Sequence, residues 1–167
     1  MREILNSFIL SIFVFISQIN AYTFQNENLN FVEENKVIKV VDGDTFDLFT
    51  KDGIKRIRLI GINTPETLDP RKDVECFGPE ASNKLKEILD GKVVKIEADE
   101  TQDDQDKYGR LLRYVYLNNE NINQRMISEG FAFEYTYKKK YKFQKEFKES
   151  YLNAKKNNLG LWKSCGY

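Results

Sequence analysis

Along Lys55–Ile60 charged and apolar residues alternate, the period of a half-buried strand. Lys36–Val41 and Thr45–Thr50 also have strand composition, and Lys51-Asp52-Gly53 supplies the turn of a hairpin. Residues 63–77 are irregular and carry Pro65 and Pro70. A helix is expected from Gly78-Pro79-Glu80, with proline in its first turn and an apolar stripe of Ala81, Leu85, Ile88 and Leu89, stopping at Gly91. Lys92–Glu97 and Leu111–Leu117 read as two more strands, with an acidic loop between them at 99–106. Asn121 can cap a short helix that turns Ile122, Met126 and Ile127 inward and ends at Gly130. Phe143, Phe147, Tyr151 and Ala154 recur at helical spacing and mark a last helix ending near Gly160. Three strands, a helix, two strands and two helices cannot form an alternating βα sheet. The expected class is α+β, a small and mostly antiparallel five-stranded β-barrel with three helices, of which the OB-fold is one example.

Residues 1–21 change the picture at the N-terminus. A short basic start, the apolar run Ile4–Ser17 and a small residue at Ala21 have the form of a secretory signal peptide cut after Ala21. The run is short for a membrane span, which needs about 20 residues. The alternative is an uncleaved anchor; no cysteine follows the run, against a lipid-anchored form. The expected organisation is a signal peptide at 1–21, a flexible Asn- and Glu-rich leader at 22–35, and a single domain at 36–167. The protein would then be secreted or periplasmic, monomeric, and without stable membrane association. Cys76 and Cys165 are the only thiols. In an oxidising compartment a disulfide between them is the default, two separate buried thiols being the alternative.

Composition narrows the chemistry by exclusion. The 167 residues hold 26 Lys+Arg, 26 Asp+Glu and no histidine. Histidine-based triads, proton shuttles and zinc sites are therefore out, and two cysteines cannot build a four-thiolate site. Catalysis would have to come from carboxylates, Arg, Lys, Tyr or a hard, oxygen-bound cation. Formal neutrality confines any nucleic-acid affinity to a local patch.

Three segments concentrate such groups: Val41–Thr45 with Asp-Gly-Asp, Arg56–Thr67 ending in Thr-Pro-Glu-Thr, and Asp106–Arg110 with Asp-Lys-Tyr-Gly-Arg. Singly, each reads as a turn, a helix-start lookalike or a loop entering a strand. Together they supply what phosphodiester hydrolysis needs without histidine: carboxylates to hold a hard cation, arginines to neutralise a phosphoryl group, and a carboxylate to deprotonate water. With Gly-Pro-Glu-Ala-Ser at 78–82, these motifs and their spacing resemble the staphylococcal nuclease (thermonuclease) family from about Lys36 to Trp162.

The resemblance implies an OB-barrel with three helices and a Ca²⁺-dependent nuclease that cleaves DNA and RNA, leaving 3′-phosphates. By motif position Asp44 and the Thr64 carbonyl would bind calcium, Glu66 would activate water, and Arg58 and Arg110 would clasp the phosphate. Arginine is too weak an acid to be the obvious proton donor to the leaving oxygen, and that donor stays unassigned. Asn63 stands where many relatives carry a second calcium-binding aspartate; its amide oxygen can still coordinate, with weaker binding expected and Asp42 able to compensate. Lys107 and Tyr108 match residues near a terminal phosphate, and Tyr135 and Tyr137 match tyrosines that pack on a base. Ordinary core packing is the competing reading for these tyrosines. Lys138–Lys140 and Lys142 form the clearest basic patch, and Arg71 and Lys72 could touch the nucleic-acid backbone. The acidic loop at 99–106 could repel nucleic acid or bind a second calcium, but simple solvation is favoured. Single strands would be the preferred substrate. The competing function is a non-catalytic OB module that binds single strands through a decayed metal site.

Overall fold

The computed structural model describes residues 34–67 and 73–166. The signal-peptide assignment, the leader up to residue 33, and Arg71 and Lys72 lie outside the described residues.

The chain runs through β1 (Val37–Asp42), β2 (Thr45–Thr50), β3 (Gly53–Leu59), β4 (Ile62–Asn63), α1 (Gly78–Leu89), β5 (Lys95–Glu97), β6 (Leu111–Leu117), β7 (Glu120–Asn121), α2 (Ile122–Ser128), β8 (Phe133–Glu134), α3 (Gln144–Lys156) and a single turn α4 (Leu161–Ser164). The principal strands pair in the order β1-β2-β3-β6-β5, antiparallel except for the parallel β3–β6 contact. The last strand returns to the first through a bridge between Lys36 and Val93. There the Val37 N–H donates to the Lys92 carbonyl (2.8 Å) and the Val94 N–H to the Asn35 carbonyl (3.0 Å). Five strands thus ring one core, their edges joined by a bridge rather than a full ladder.

Period-two patterning explains which faces turn inward. Phe46 and Leu48 from β2 and Ile57 and Leu59 from β3 are fully buried, while the charged residues between them, Asp47 and Arg58, lie on the opposite face. Tyr114 and Val115 from β6, Leu85 and Leu89 from α1, Met126 and Ile127 from α2 and Phe147 from α3 complete the core. At about 25 cal/mol per Å² of apolar surface, burial of this kind is the main driving force for folding. The Asn121 side chain caps α2 by accepting from the Gln124 N–H at 3.1 Å.

The strand expected at 92–97 is shorter, because residues 92–94 are spent on closing the ring against Asn35 and Val37. The helix expected to run to Gly160 stops at Lys156, where Asn158 adopts a left-handed conformation (φ 58°), and α4 starts after Gly160 to bury Leu161 and Trp162. β4, β7 and β8 have two residues each, too few to show any period. Cys76 and Cys165 form a disulfide, their Cα atoms 5.9 Å apart, so the separate-thiol alternative falls. Among the described residues no helix is long and apolar enough to cross a membrane.

Two buried polar residues stitch these elements. Asn123 is wholly buried: its Oδ1 accepts from the Val115 N–H (3.0 Å), and its Nδ2 donates to the carbonyls of Ile60 (2.9 Å) and Arg113 (3.1 Å). It therefore pins α2 to β6 and to the segment that follows β3. Asp99, also buried, accepts from the Tyr114 hydroxyl (2.6 Å), the Lys142 N–H (2.8 Å) and the N–H and hydroxyl of Thr101.

The acidic loop is largely exposed, as its reading as a solvated loop expects, but it is also tied to the rest of the protein. Asp104 pairs with Arg113, Asp103 with Lys139 and Asp106 with Arg110, and the Lys140 carbonyl accepts from Thr101 and Gln102. The loop is a clamp between β6 and the approach to α3.

Burial alone pushes the Asp99 carboxyl upward, but the hydrogen bonds from Lys142, Tyr114 and Thr101 outweigh it and hold the pKa below the usual aspartate value. A depressed native pKa contributes stability that is present above the unfolded value of about 4 and lost as pH falls through the native one. Asp99→Asn should cost about 2 kcal/mol at neutral pH, because an amide N–H₂ then faces a donor. In urea melts, the gap to the unsubstituted chain should close on acidification below about pH 4.

Candidate active site

Strand register decides which polar side chains meet. Across the β2–β3 hairpin Thr45 stands opposite Arg58, which brings Asp44, the residue before β2, alongside the Arg58 side chain. Across the parallel β3–β6 pair Ile57 stands opposite Leu111, so Arg110 enters β6 at the same end. The Arg110 Nη1 reaches the Thr45 hydroxyl at 3.3 Å. Asp42, Asp44, Arg58, Asn63, Thr64, Glu66 and Arg110 line one polar cavity of about 140 Å³.

Within it Arg58 is locked by its surroundings. Its Nη1 donates to the carbonyls of Leu59 (2.7 Å) and Ile62 (2.9 Å). Its Nη2 pairs with Asp44 Oδ2 at 2.8 Å and donates to Asn63 Oδ1 at 3.3 Å. Asp44 is 6% exposed and also accepts from the Thr45 hydroxyl (2.9 Å) and the Thr64 N–H (3.3 Å). Burial of a charge this deep is tolerable because Arg58, the Thr45 hydroxyl and the Thr64 N–H all donate to it. Gly43 is required between the two aspartates: a Cβ there would lie 2.7 Å from the Thr64 hydroxyl, so a side chain would push Thr64 away.

Asp42 accepts from the Asp44 N–H at 3.0 Å. Burial, and then the charge of Asp44 beside it, push its carboxyl up to about 6. Arg110 is held differently, by Asp106: Oδ2 accepts from its Nε at 2.6 Å and Oδ1 from its backbone N–H at 3.0 Å. Burial raises the Asp106 carboxyl, but its hydrogen bonds to Arg110 and Tyr108 outweigh that and leave it below the ordinary aspartate value. Glu66 lies in a stretch without regular structure. Its Oε1 accepts from the Thr67 N–H (2.9 Å), and its own N–H donates to Glu75 Oε2 (2.9 Å).

Every donor atom suited to a metal here is oxygen: the carboxylates of Asp42, Asp44 and Glu66, the Asn63 amide and the Thr64 carbonyl. That set fits a hard cation such as Ca²⁺ and offers none of the imidazole or thiolate donors typical of zinc sites. No group of three carboxylates among the described residues is close enough to hold an ion alone. The neutral oxygens of Asn63 and Thr64, with water, would have to complete the shell.

Arg58, Asn63 and Arg110 also line a second and larger trough of about 620 Å³. Lys107, Tyr108, Tyr135 and Tyr137 lie along it with Lys138 and Lys139. Tyr135 and Tyr137 are 44% and 56% exposed and stack on each other at 6.3 Å between ring centroids. The core-packing reading of these tyrosines therefore fails. Lys107 Nζ and the Arg110 guanidinium both lie over the exposed Tyr108 ring, at 4.9 and 5.4 Å. Tyr141, Gln102 and Gln105 complete the trough without having been singled out in the sequence. The only signal for Tyr141 was its place between two lysines, which reads as surface, whereas the ring is 5% exposed.

Comparison with known proteins agrees with this architecture. Residues 56–164 match the family described as staphylococcal nuclease homologue. The thermonuclease of Staphylococcus hyicus is 38% identical over 128 residues, 76% of this chain and 74% of the relative. The thermonuclease of Staphylococcus intermedius is 38% identical over 131 residues, covering 78% and 76%. The SPbeta prophage-derived endonuclease YokF of Bacillus subtilis (strain 168) is 35% identical over 130 residues, where the match spans 77% of this chain but 44% of the relative's length. With its register, its Asp-Gly-Asp turn and its paired arginines at one barrel end, the chain belongs to the staphylococcal nuclease family.

Proposed function

We propose that this protein is a secreted, calcium-dependent nuclease that hydrolyses phosphodiester bonds of DNA and RNA to give 3′-phosphate ends. The observation that carries the reading is the single polar cavity lined by Arg58, Glu66 and Arg110 together with Asp42, Asp44, Asn63 and Thr64. The names of the thermonuclease and endonuclease relatives support it.

Asp44, the Thr64 carbonyl and the Asn63 amide oxygen would hold calcium, which when bound would supply positive charge beside the phosphoryl group. The remaining work falls to the chain's own groups. Glu66 accepts the proton of the attacking water. Arg58 and Arg110 donate to the equatorial oxygens of the phosphorus, where charge builds in the transition state. The carbonyls of Leu59 and Ile62 already fix the Arg58 plane, so little reorganisation accompanies the reaction. A phosphate has only to share the Nη2 hydrogens that now serve Asp44 and Asn63. Tyr135 and Tyr137 stack on a base, while Lys107 and Tyr108 meet a terminal phosphate at the rim of the trough. A base can reach a tyrosine face only when unstacked, which favours single-stranded substrate. Lys72, outside the described residues, adds a backbone contact.

Glu66→Gln should lower kcat by about 10²–10⁴ and Arg110→Ala by about 10²–10³, with intact circular dichroism, on heat-denatured DNA. Cleavage by the unsubstituted chain neither with calcium nor with chelator would leave a non-catalytic single-strand-binding module in its place. Asn63→Asp should bring calcium half-saturation to a lower concentration, because a charged oxygen replaces a neutral one. An unchanged half-saturation point would remove Asn63 from the calcium shell.

A further inference from the structure

The segment that carries Glu66 has no ladder or helix to hold it. Its backbone is instead paired reciprocally with Glu75: the Glu66 N–H donates to Glu75 Oε2, and the Glu75 N–H donates to the Glu66 carbonyl, both at 2.9 Å. The next residue in the chain is Cys76, whose disulfide partner Cys165 closes α4. That short helix is anchored from inside, since Leu161 is fully buried, Trp162 is 4% exposed, and the Leu161 N–H donates to the Gly130 carbonyl (2.9 Å). The start of α1 presses on the same spot: a Cβ on Gly78 would lie 3.0 Å from the Glu66 carbonyl oxygen and 2.6 Å from the Thr67 methyl. Glu66 is therefore located by a chain of contacts that runs through Glu75 and across the sulfur bridge to a packed hydrophobic cluster. Glu75 itself is exposed, and its carbonyl accepts from the Gly78 N–H (3.0 Å) at the start of α1.

We propose that Glu75 is a positioning residue for Glu66, and that the Cys76–Cys165 disulfide is the lock that keeps the pair aligned, so that phosphodiester cleavage depends on the oxidation state of the bridge. This rests on the assignment of Glu66 as the residue that activates water. The switch itself balances simply. A dithiol reductant transfers two electrons and two protons to the bridge; the S–S bond breaks, Cys76 and Cys165 become thiols, and the reductant closes to its own disulfide. Cys76 is on the exposed surface, where such a reductant can reach it. Freed from α4, Glu75 and the Glu66 backbone shift together, and misplacement of a reacting group by about 1 Å can cost two orders of magnitude in rate. The nuclease would thus be weak in a thiol-reducing compartment and reach full rate where disulfides form. Substrate binding along the trough, which shares no residue with this lock, should be left unaffected.

The test compares kcat and KM on single-stranded DNA for four proteins: the oxidised chain, the same chain reduced and alkylated, the Cys76→Ser/Cys165→Ser double variant, and oxidised Glu75→Ala. Trp162 fluorescence monitors folding. The three altered proteins should lose tenfold or more in kcat with KM within twofold, and Glu75→Gln, which keeps an acceptor oxygen, should recover most of the rate. Adding Glu75→Ala to the cysteine-free chain should cost little more, because the two act as one lock. A folded, reduced chain with kcat within twofold of the oxidised one overturns the proposal, as does a loss confined to KM. If the cysteine-free chain does not fold, the Glu75→Ala and Glu75→Gln pair in the oxidised protein decides: equal rates overturn the positioning role. Full activity in Glu66→Gln would instead overturn the assignment of the base, a separate failure with its own readout.

Discussion

Backbone pairing of β2, β3 and β6 is the constraint from which the rest follows. Thr45 opposite Arg58, and Ile57 opposite Leu111, carry two arginines and the Asp-Gly-Asp turn to the same end of the barrel. A slip of one residue in either ladder would turn Ile57 and Leu59 out of the core and Arg58 into it. The buried apolar face therefore enforces the position of the polar groups, and the core and the site share one register.

Charge is handled pairwise at that end. Each guanidinium arrives with its own carboxylate, Arg58 with Asp44 and Arg110 with Asp106, at 2.8 and 2.6 Å. Arginine suits this arrangement because one edge of its planar fork can be committed to the protein while the other is offered to an oxyanion. Arg58 spends Nη1 on two carbonyls and Arg110 spends Nε on Asp106, so both planes are set before any ligand arrives. Asp42, Asp44 and Glu66 face two guanidiniums across the cavity, and burial followed by the Asp44 charge raises the Asp42 carboxyl. An oxygen-bound cation would answer that imbalance, and a polyanion would then meet a site whose charge it complements.

The acidic loop connects the small cavity with the trough beside it. Through Asp99 it grips Tyr114 and the Lys142 backbone, and through Thr101 and Gln102 it grips the Lys140 carbonyl. One end of the same loop orients Arg110 and the other fixes the segment that follows Tyr135 and Tyr137. Its five acids look repulsive to nucleic acid in the sequence, yet four of them are occupied as acceptors for the protein's own side chains.

Much of the barrel was legible from the chain alone, since period-two alternation at 55–60 and the stripe from Ala81 to Leu89 are local consequences of which face is buried. The absence of histidine restricted the chemistry, and the spacing of Asp44, Arg58, Glu66 and Arg110 carried the family resemblance. Local pattern had no means of showing β4 and β8, whose two-residue ladder exists only because Phe133 is folded back onto Asn63. Nor could it foresee that Lys92–Val94 would leave their strand to close the ring, that Asp99 of the acidic loop would be buried against Tyr114, or that Tyr141 would be buried between lysines. Those outcomes depend on partners dozens of residues away. Composition and periodicity report how a segment meets solvent; hydrogen-bond partners across the fold are settled only when the whole chain is packed.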